Sequence, residues 1–336
     1  MEKKFYILNS NGLRVFTLLG IIFFTGSCKF EDTTPLEKNN EGEKDYTAFV
    51  NPFIGTAPLT DTKIIGYTPP EGWRVWAGLV YPGSALPNAM VQLSPITEYG
   101  TGAGYEYEDT EILGFAHTNK GHWNLVNIPV LPVSGEGTYP FKSSFLHEKE
   151  EASPGYYSVY LEDTKVNVRL SSTLRSGIHE YTFENGNSRK ILFDLGKANN
   201  RVSNWEINQI TDKTVSGYQR VGRDKIYFFA TLSHPVTDIV KEKPGESDGY
   251  ALVNLRNGGA GPVILKIGLS YVSTENAAEN LEKEIGSSTF EDVHLNAKST
   301  WNSLLSKIDV KGGNNKQNEL FYTSLYRSFL WLSLEE

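Results

Sequence analysis

The sequence predicts a mostly β protein: a large β-sandwich, then two linker helices, then the first helix of a helical domain that is missing. Three observations predict it. Between Tyr46 and Val272, short apolar runs are separated by Gly, Pro, Asn and Asp, and no helical period intervenes. After Val272 the apolar spacing changes to that of helices. The chain then stops, at Glu336, a few residues beyond a helix whose apolar face is wide.

The elements follow in order. Lys3, Lys4 and Arg14 precede the apolar run from Val15 to Phe24, which is too short to span a bilayer. Small residues, Thr25-Gly26-Ser27, lead to Cys28, the only cysteine. Residues 1–27 therefore resemble a bacterial lipoprotein signal peptide, with Cys28 as the lipidated residue and membrane anchor. The competing reading is an ordinary secretory signal and an incidental buried thiol. Lys29-Phe30-Glu31-Asp32 resembles the surface-export signal of Bacteroidetes lipoproteins, which implies an outer-membrane lipoprotein exposed at the cell surface or on the periplasmic face. Residues 28–45 are polar and charged and read as a flexible tether.

Residues 46–272 form the sandwich. Tyr156 to Leu161 is rich in β-formers, and Val166, Val168 and Leu170 alternate with Asn167 and Arg169, the period of a half-buried strand. Lys190–Leu195, Ile226–Leu232 and Val263–Leu269 continue the pattern. Many strands without intervening helices argue for two packed sheets. Residues 273–313 form the helical linker. Thr274 can cap a first helix that places Ala277, Ala278, Leu281 and Ile285 on one face and stops at Gly286. Phe290, Val293, Ala297, Trp301, Leu304 and Leu305 mark a second helix. Gly312-Gly313-Asn314-Asn315 breaks it. Residues 314–336 hold a third helix from near Gln317, with Phe321, Leu325 and Phe329 spaced by four. Its broad apolar face, up to Trp331 and Leu332, asks for partners that the sequence does not supply; the alternative is that it docks back on the sandwich.

Composition excludes several classes. The net charge is −8, and removing residues 1–27 leaves about −10, the wrong sign for a nucleic-acid partner. No metal-binding spacing, phosphate loop or nucleophile elbow is present. Gly100-Thr101-Gly102-Ala103-Gly104 lacks the third glycine of a dinucleotide fingerprint and reads as a turn. Glu106, Glu108, Asp109 and Glu111 form an acidic cluster that reads as a solvated strand and turn. His147, His179, His234 and His294 show no pairing pattern and read as surface residues.

The informative blocks run in order: Asn51-Pro52-Phe53-Ile54-Gly55-Thr56, Tyr81-Pro82-Gly83, Met90-Val91-Gln92-Leu93-Ser94-Pro95, Gly104-Tyr105-Glu106-Tyr107 and Ile112-Leu113-Gly114-Phe115-Ala116-His117-Thr118. Downstream come Gly268-Leu269-Ser270-Tyr271-Val272-Ser273, Trp301-Asn302-Ser303-Leu304-Leu305 and Phe321-Tyr322-Thr323-Ser324-Leu325-Tyr326-Arg327. Together they resemble the N-terminal β-sandwich domain of glycoside hydrolase family 92, its linker helix and the opening of its (α/α)6 barrel, over about residues 46–331. Three features depart from the family: Pro87-Asn88-Ala89, the loop Asn119-Lys120-Gly121-His122-Trp123-Asn124, and the extra aromatic stretch Gly72-Trp73-Arg74-Val75-Trp76-Ala77-Gly78. They place the chain on a divergent branch.

The resemblance implies a calcium-dependent, inverting exo-α-mannosidase acting on terminal α-mannosides of glycans. It implies that the acid, the bases and the calcium ligands lie in the barrel, past this chain's end. It thus assigns no catalytic or metal residue here, no calcium bound by this chain alone, and no activity of its own. What it leaves to the sandwich is contact with a mannose-containing glycan. Aromatic faces stack on the apolar face of a pyranose, while Asn, His and indole N–H groups bond its hydroxyls. His117, Asn119, His122, Trp123, Trp73 and Trp76 have that chemistry, and packing between domains is the competing role. A protein of another class, a non-catalytic glycan-binding surface lipoprotein, would keep the sandwich for the same purpose.

Overall fold

The computed structural model describes residues 44–121, 123, 125–184, 188–258 and 261–330. Cys28, His122 and Trp331 lie outside the described residues. The described part is mostly β, a sandwich of two antiparallel sheets followed by three helices. The eight-stranded sheet runs in the spatial order Val202–Thr211, Thr214–Val221, Asp224–Leu232, Val263–Ser270, Ser176–Phe183, Val166–Ser172, Tyr156–Leu161 and Glu150–Ser153. The seven-stranded sheet runs Val236–Glu242, Tyr250–Leu255, Arg189–Phe193, Val130–Ser134, Gly114–Ala116, Gln92–Ile96 and Ser84–Ala85.

Alternation builds the core. Tyr157, Val159 and Leu161 are buried on one strand, and Val166, Val168 and Leu170 on the next, where Val159 faces Val168 across the pair. Because side chains alternate faces, this register sends every second residue inward. The two sheets meet through ring contacts. Phe193 stacks on Phe228 with centroids 5.6 Å apart, and Phe115 leans on Tyr157 at 6.3 Å.

The outer face of the larger sheet is covered by the helices Thr274–Glu284 and Phe290–Leu305. Leu281, Ile285, Phe290 and Val293 pack on Ile178, Phe229 and Ile264. The first helix sits so close that a Cβ on Gly268 would lie 2.2 Å from the Ala277 carbonyl oxygen. Its N-cap is Ser273 rather than Thr274, since the Ser273 hydroxyl accepts from the Asn276 N–H. Thr289 and Asp292 close a capping box at the start of the second. Arg169 bonds Glu180 on its own sheet at 2.7 Å and Glu291 on that helix at 2.5 Å.

The last helix, Asn315–Ser328, begins two residues earlier than the spacing suggests, because Asn314 and Gln317 form a capping box. Part of its apolar face is partnered within the described residues. Tyr322 and Tyr326 are buried against Trp301, Leu305, Tyr46 and Val50, and Tyr326 meets Trp301 at 4.4 Å. Trp301 donates its indole N–H to the Ala85 carbonyl at 2.7 Å, which joins this cluster to the sandwich. The segment Tyr46–Phe49 supplies the partners that periodicity could not reveal, since it lies far away in sequence. Leu320 and Phe321, on the other side, stay exposed.

Candidate functional site

Three segments converge beside the seven-stranded sheet. Residues 97–110 follow the strand Gln92–Ile96, residues 117–129 follow the strand Gly114–Ala116, and residues 56–80 precede Tyr81. Glycine lets them touch. Cβ atoms on Gly102 and Gly121 would lie 2.1 Å from the Leu79 side chain and 1.8 Å from its carbonyl oxygen. The Trp123 N–H donates to the Gly102 carbonyl at 3.0 Å, and Asn119 Nδ2 donates to the Ala103 carbonyl at 2.8 Å.

Four described residues between 117 and 129 are strained. Trp123, Leu125, Val126 and Ile128 all have left-handed φ values, between 50° and 64°. The two β-branched residues pay most for that conformation. Hydrogen bonds hold it in place. Thr118 Oγ1 donates to Asn127 Oδ1, and Gln219 Oε1 accepts from both Asn127 Nδ2 and the Ile128 N–H.

Five of the six residues expected to contact sugar are described, and they separate in this geometry. His117 and Asn119 are corrected: both are fully buried and their polar atoms are used inside the chain. His117 Nδ1 donates to the Ile128 carbonyl at 2.7 Å, and its Nε2 faces His179 Nε2 at 3.1 Å. Asn119 also donates to Ser94 Oγ and accepts from the Gly121 N–H. These two residues shape the loop from below. Trp73, Trp76 and Trp123 lie at or near the surface. Trp73 is 72% exposed and Trp123 41%. Trp76 meets Trp123 edge to face, with centroids 5.3 Å apart and planes at 87°. The two indoles form a right-angled corner.

The acidic cluster beside that corner is also corrected. Glu108 is exposed and Glu111 pairs with Lys142 at 2.8 Å, but Glu106 is only 1% exposed and Asp109 is largely covered. Arg74 reaches over from the aromatic stretch, bonding Asp109 at 2.5 Å and Glu98 at 3.2 Å. Burial pushes the Glu106 carboxyl up to about 7, against the opposing pulls of Trp76 and Arg74. Sequence reasoning missed this because Arg74 is 32 residues from Glu106 and nothing local links them. The one available signal was the Trp-Arg-Val-Trp alternation, which places the Arg74 and Trp76 side chains on one side of an extended segment.

The histidines are corrected as well. His179 and His234 are buried; His179 Nδ1 accepts from Tyr181 Oη at 2.8 Å, and His234 Nε2 accepts from Arg189 at 2.9 Å. His147 stacks on Tyr107 at 4.0 Å and bonds Glu150, and His294 stacks on Tyr156 at 4.5 Å. Among the described residues, no group of three His, Cys, Asp or Glu side chains is placed to hold a metal ion.

Fold and site together define a β-sandwich domain that carries helices at its C-terminal end and a tryptophan corner where three loops meet. Residues 49–270 match the profile described as the glycosyl hydrolase family 92 N-terminal domain, and residues 276–334 match that of the family's catalytic domain. The chain belongs to glycosyl hydrolase family 92. It is 27% identical to the family GH92 α-mannosidase BT3965 of Bacteroides thetaiotaomicron, with a TM-score of 0.74 over 86% of this chain and 41% of that one. The same relative has been solved in complex with mannoimidazole. The family GH92 inverting mannosidase BT2199 of the same organism, at 22% identity and TM-score 0.71, shares the fold over 85% of this chain and 40% of its own. A protein of Arthroderma benhamiae described as an uncharacterized secreted glycosidase is 23% identical, over 86% of this chain and 42% of that protein. This chain thus spans about two fifths of the length of each.

Proposed function

We propose that this chain supplies the N-terminal sandwich of an α-mannosidase that cleaves terminal α-mannosides with inversion, and that Trp123, Trp76 and Trp73 are its share of the sugar-contacting surface. The observation that carries the proposal is the Trp76–Trp123 corner, set on glycine-packed loops in a family whose solved members include α-mannosidases. A right-angled aromatic corner offers one indole face to the apolar side of a pyranose and leaves the other as a wall that limits its rotation. Inversion needs an acid on the leaving oxygen and a base on water, about 6.5–9.5 Å apart. In this reading both come from the helical domain. Asp109 is occupied by Arg74 and Glu106 is buried beneath the corner, so neither is a candidate for that pair. In this reading the calcium ligands come from the helical domain as well.

A relative described as secreted is in keeping with export, and we place this protein in the outer membrane, tethered through lipid on Cys28. Incorporation of a labelled fatty acid that disappears in Cys28→Ala would support the anchor, and equal labelling of both proteins would remove it. The sugar reading is tested by titrating the chain with methyl α-mannoside and α-mannobiose while following tryptophan fluorescence. Saturable quenching that Trp123→Ala and Trp76→Ala abolish is expected. An unchanged emission in the parent, or quenching that survives both variants, sinks it.

A further inference from the structure

The corner rests on three buried polar atoms that have no hydrogen-bond partner: Trp76 Nε1, Glu106 Oε2 and Asp109 Oδ2. Buried groups of this kind are uncommon in folded proteins and call for an explanation where they cluster. The Trp76 indole is close enough to the Glu106 carboxyl to favour its ionised form, and Trp76 Nε1 and Glu106 Oε2 are both left without a completed hydrogen bond. An indole N–H can only donate, and an ionised carboxylate is the stronger acceptor for it.

Of the two, Glu106 is the fixed partner. Its N–H donates to Thr97 Oγ1 at 2.9 Å, and its carbonyl accepts from the Asp109 N–H at 3.1 Å. Trp76 sits on a ribbon of only two paired residues per strand, Val75–Trp76 against Pro58–Leu59. The charged groups facing Glu106 are Arg74 from the aromatic stretch and Glu98 and Asp109 from its own segment. Arg74 is already shared between Glu98 and Asp109. Glu106 therefore has no cation of its own, and burial sets its ionisation near neutrality.

We propose that Glu106 is the positioning residue of the tryptophan corner: as a carboxylate it draws the Trp76 N–H into a hydrogen bond and fixes the wall that Trp76 and Trp123 present, and as a neutral acid it lets that wall relax. This rests on the reading of the corner as the sugar platform and adds a regulation of it. Above the midpoint the corner is set for a mannoside; below it the corner is looser and binds more weakly.

The test separates the two readings. Tryptophan emission of the whole chain is followed from pH 5 to 9 without sugar, then with methyl α-mannoside. The parent is expected to show a transition centred near pH 7. Glu106→Gln, which keeps the shape but cannot ionise, should lose it, Glu106→Asp should restore a titration, and Trp76→Phe should remove the signal while circular dichroism stays unchanged. A transition that persists in Glu106→Gln or Trp76→Phe, or no transition in the parent, overturns the proposal. A normal transition with no mannoside effect at any pH supports Glu106 as the positioning residue and defeats only the sugar reading.

Discussion

The buried relay Ile128–His117–His179–Tyr181 makes a quantitative prediction about acid. The Ile128 carbonyl can only accept, so His117 Nδ1 carries the proton and its Nε2 accepts from His179 Nε2–H. His179 Nδ1 then accepts from the Tyr181 hydroxyl. This one arrangement uses every polar atom, and it requires both rings to be neutral. A proton added to His117 would set two N–H groups against each other in a site with no solvent. Burial accordingly pushes His117 down to about 4, and His179 well below its ordinary value by burial and by its neighbour.

Between about pH 6.5 and pH 4 the unfolded chain takes up protons at these positions and the folded chain does not. Stability therefore falls as the pH falls through that window. From 6.5 to about 4, His117 alone contributes a loss of about 3 kcal/mol. Glu106 and Asp194, both pushed up to about 7 by burial, act with the opposite sign: the folded form binds their protons first and gains stability as the pH drops. The parent curve alone is thus ambiguous, and the difference from His117→Leu/His179→Leu is the quantity to measure. Urea unfolding at several values from pH 7.5 to 4 supplies it. At pH 7.5 the double variant should be the weaker by about 2 kcal/mol or more, because the Tyr181 hydroxyl and the Ile128 carbonyl lose partners. By pH 4 the gap should close or reverse. Parallel curves across the window would refute the tautomer assignment and the relay with it.

Two further outcomes follow from packing. Trp301→Ala removes a fully buried indole, its bond to Ala85 and the face on which Tyr326 rests; a stability loss of about 3–5 kcal/mol is expected, with the last helix losing hydrogen-exchange protection first. Gly121→Ala drives a methyl group into the Leu79 carbonyl at a left-handed position, so it should change tryptophan emission at the corner while leaving sheet circular dichroism intact; emission identical to the parent's would show that the loop does not depend on this approach.

Much of the fold was legible because it repeats locally. Val166, Val168 and Leu170 announce a strand by alternation, and Ala277 and Leu281 announce a helix by spacing, since burying one face of a regular element imposes a period on its residues. The blocks from Asn51 to Thr118 and from Gly268 to Arg327 likewise carry the family in the sequence itself. Less was legible at the site. His117 has the chemistry of a sugar ligand, yet its partner His179 is 62 residues away on the opposite sheet. Glu106 has the composition of a solvated turn, yet the stretch that brings Arg74 and Trp76 over it covers it.

Sequence alone therefore determined the element types, their order and the family, because those depend on neighbours within a few positions. Only the tertiary structure decided which of the His, Asn, Glu and Trp side chains face solvent, which polar groups share a proton and where the last helix docks. Those outcomes turn on desolvation and hydrogen bonding between residues that chain folding, rather than sequence proximity, brings together.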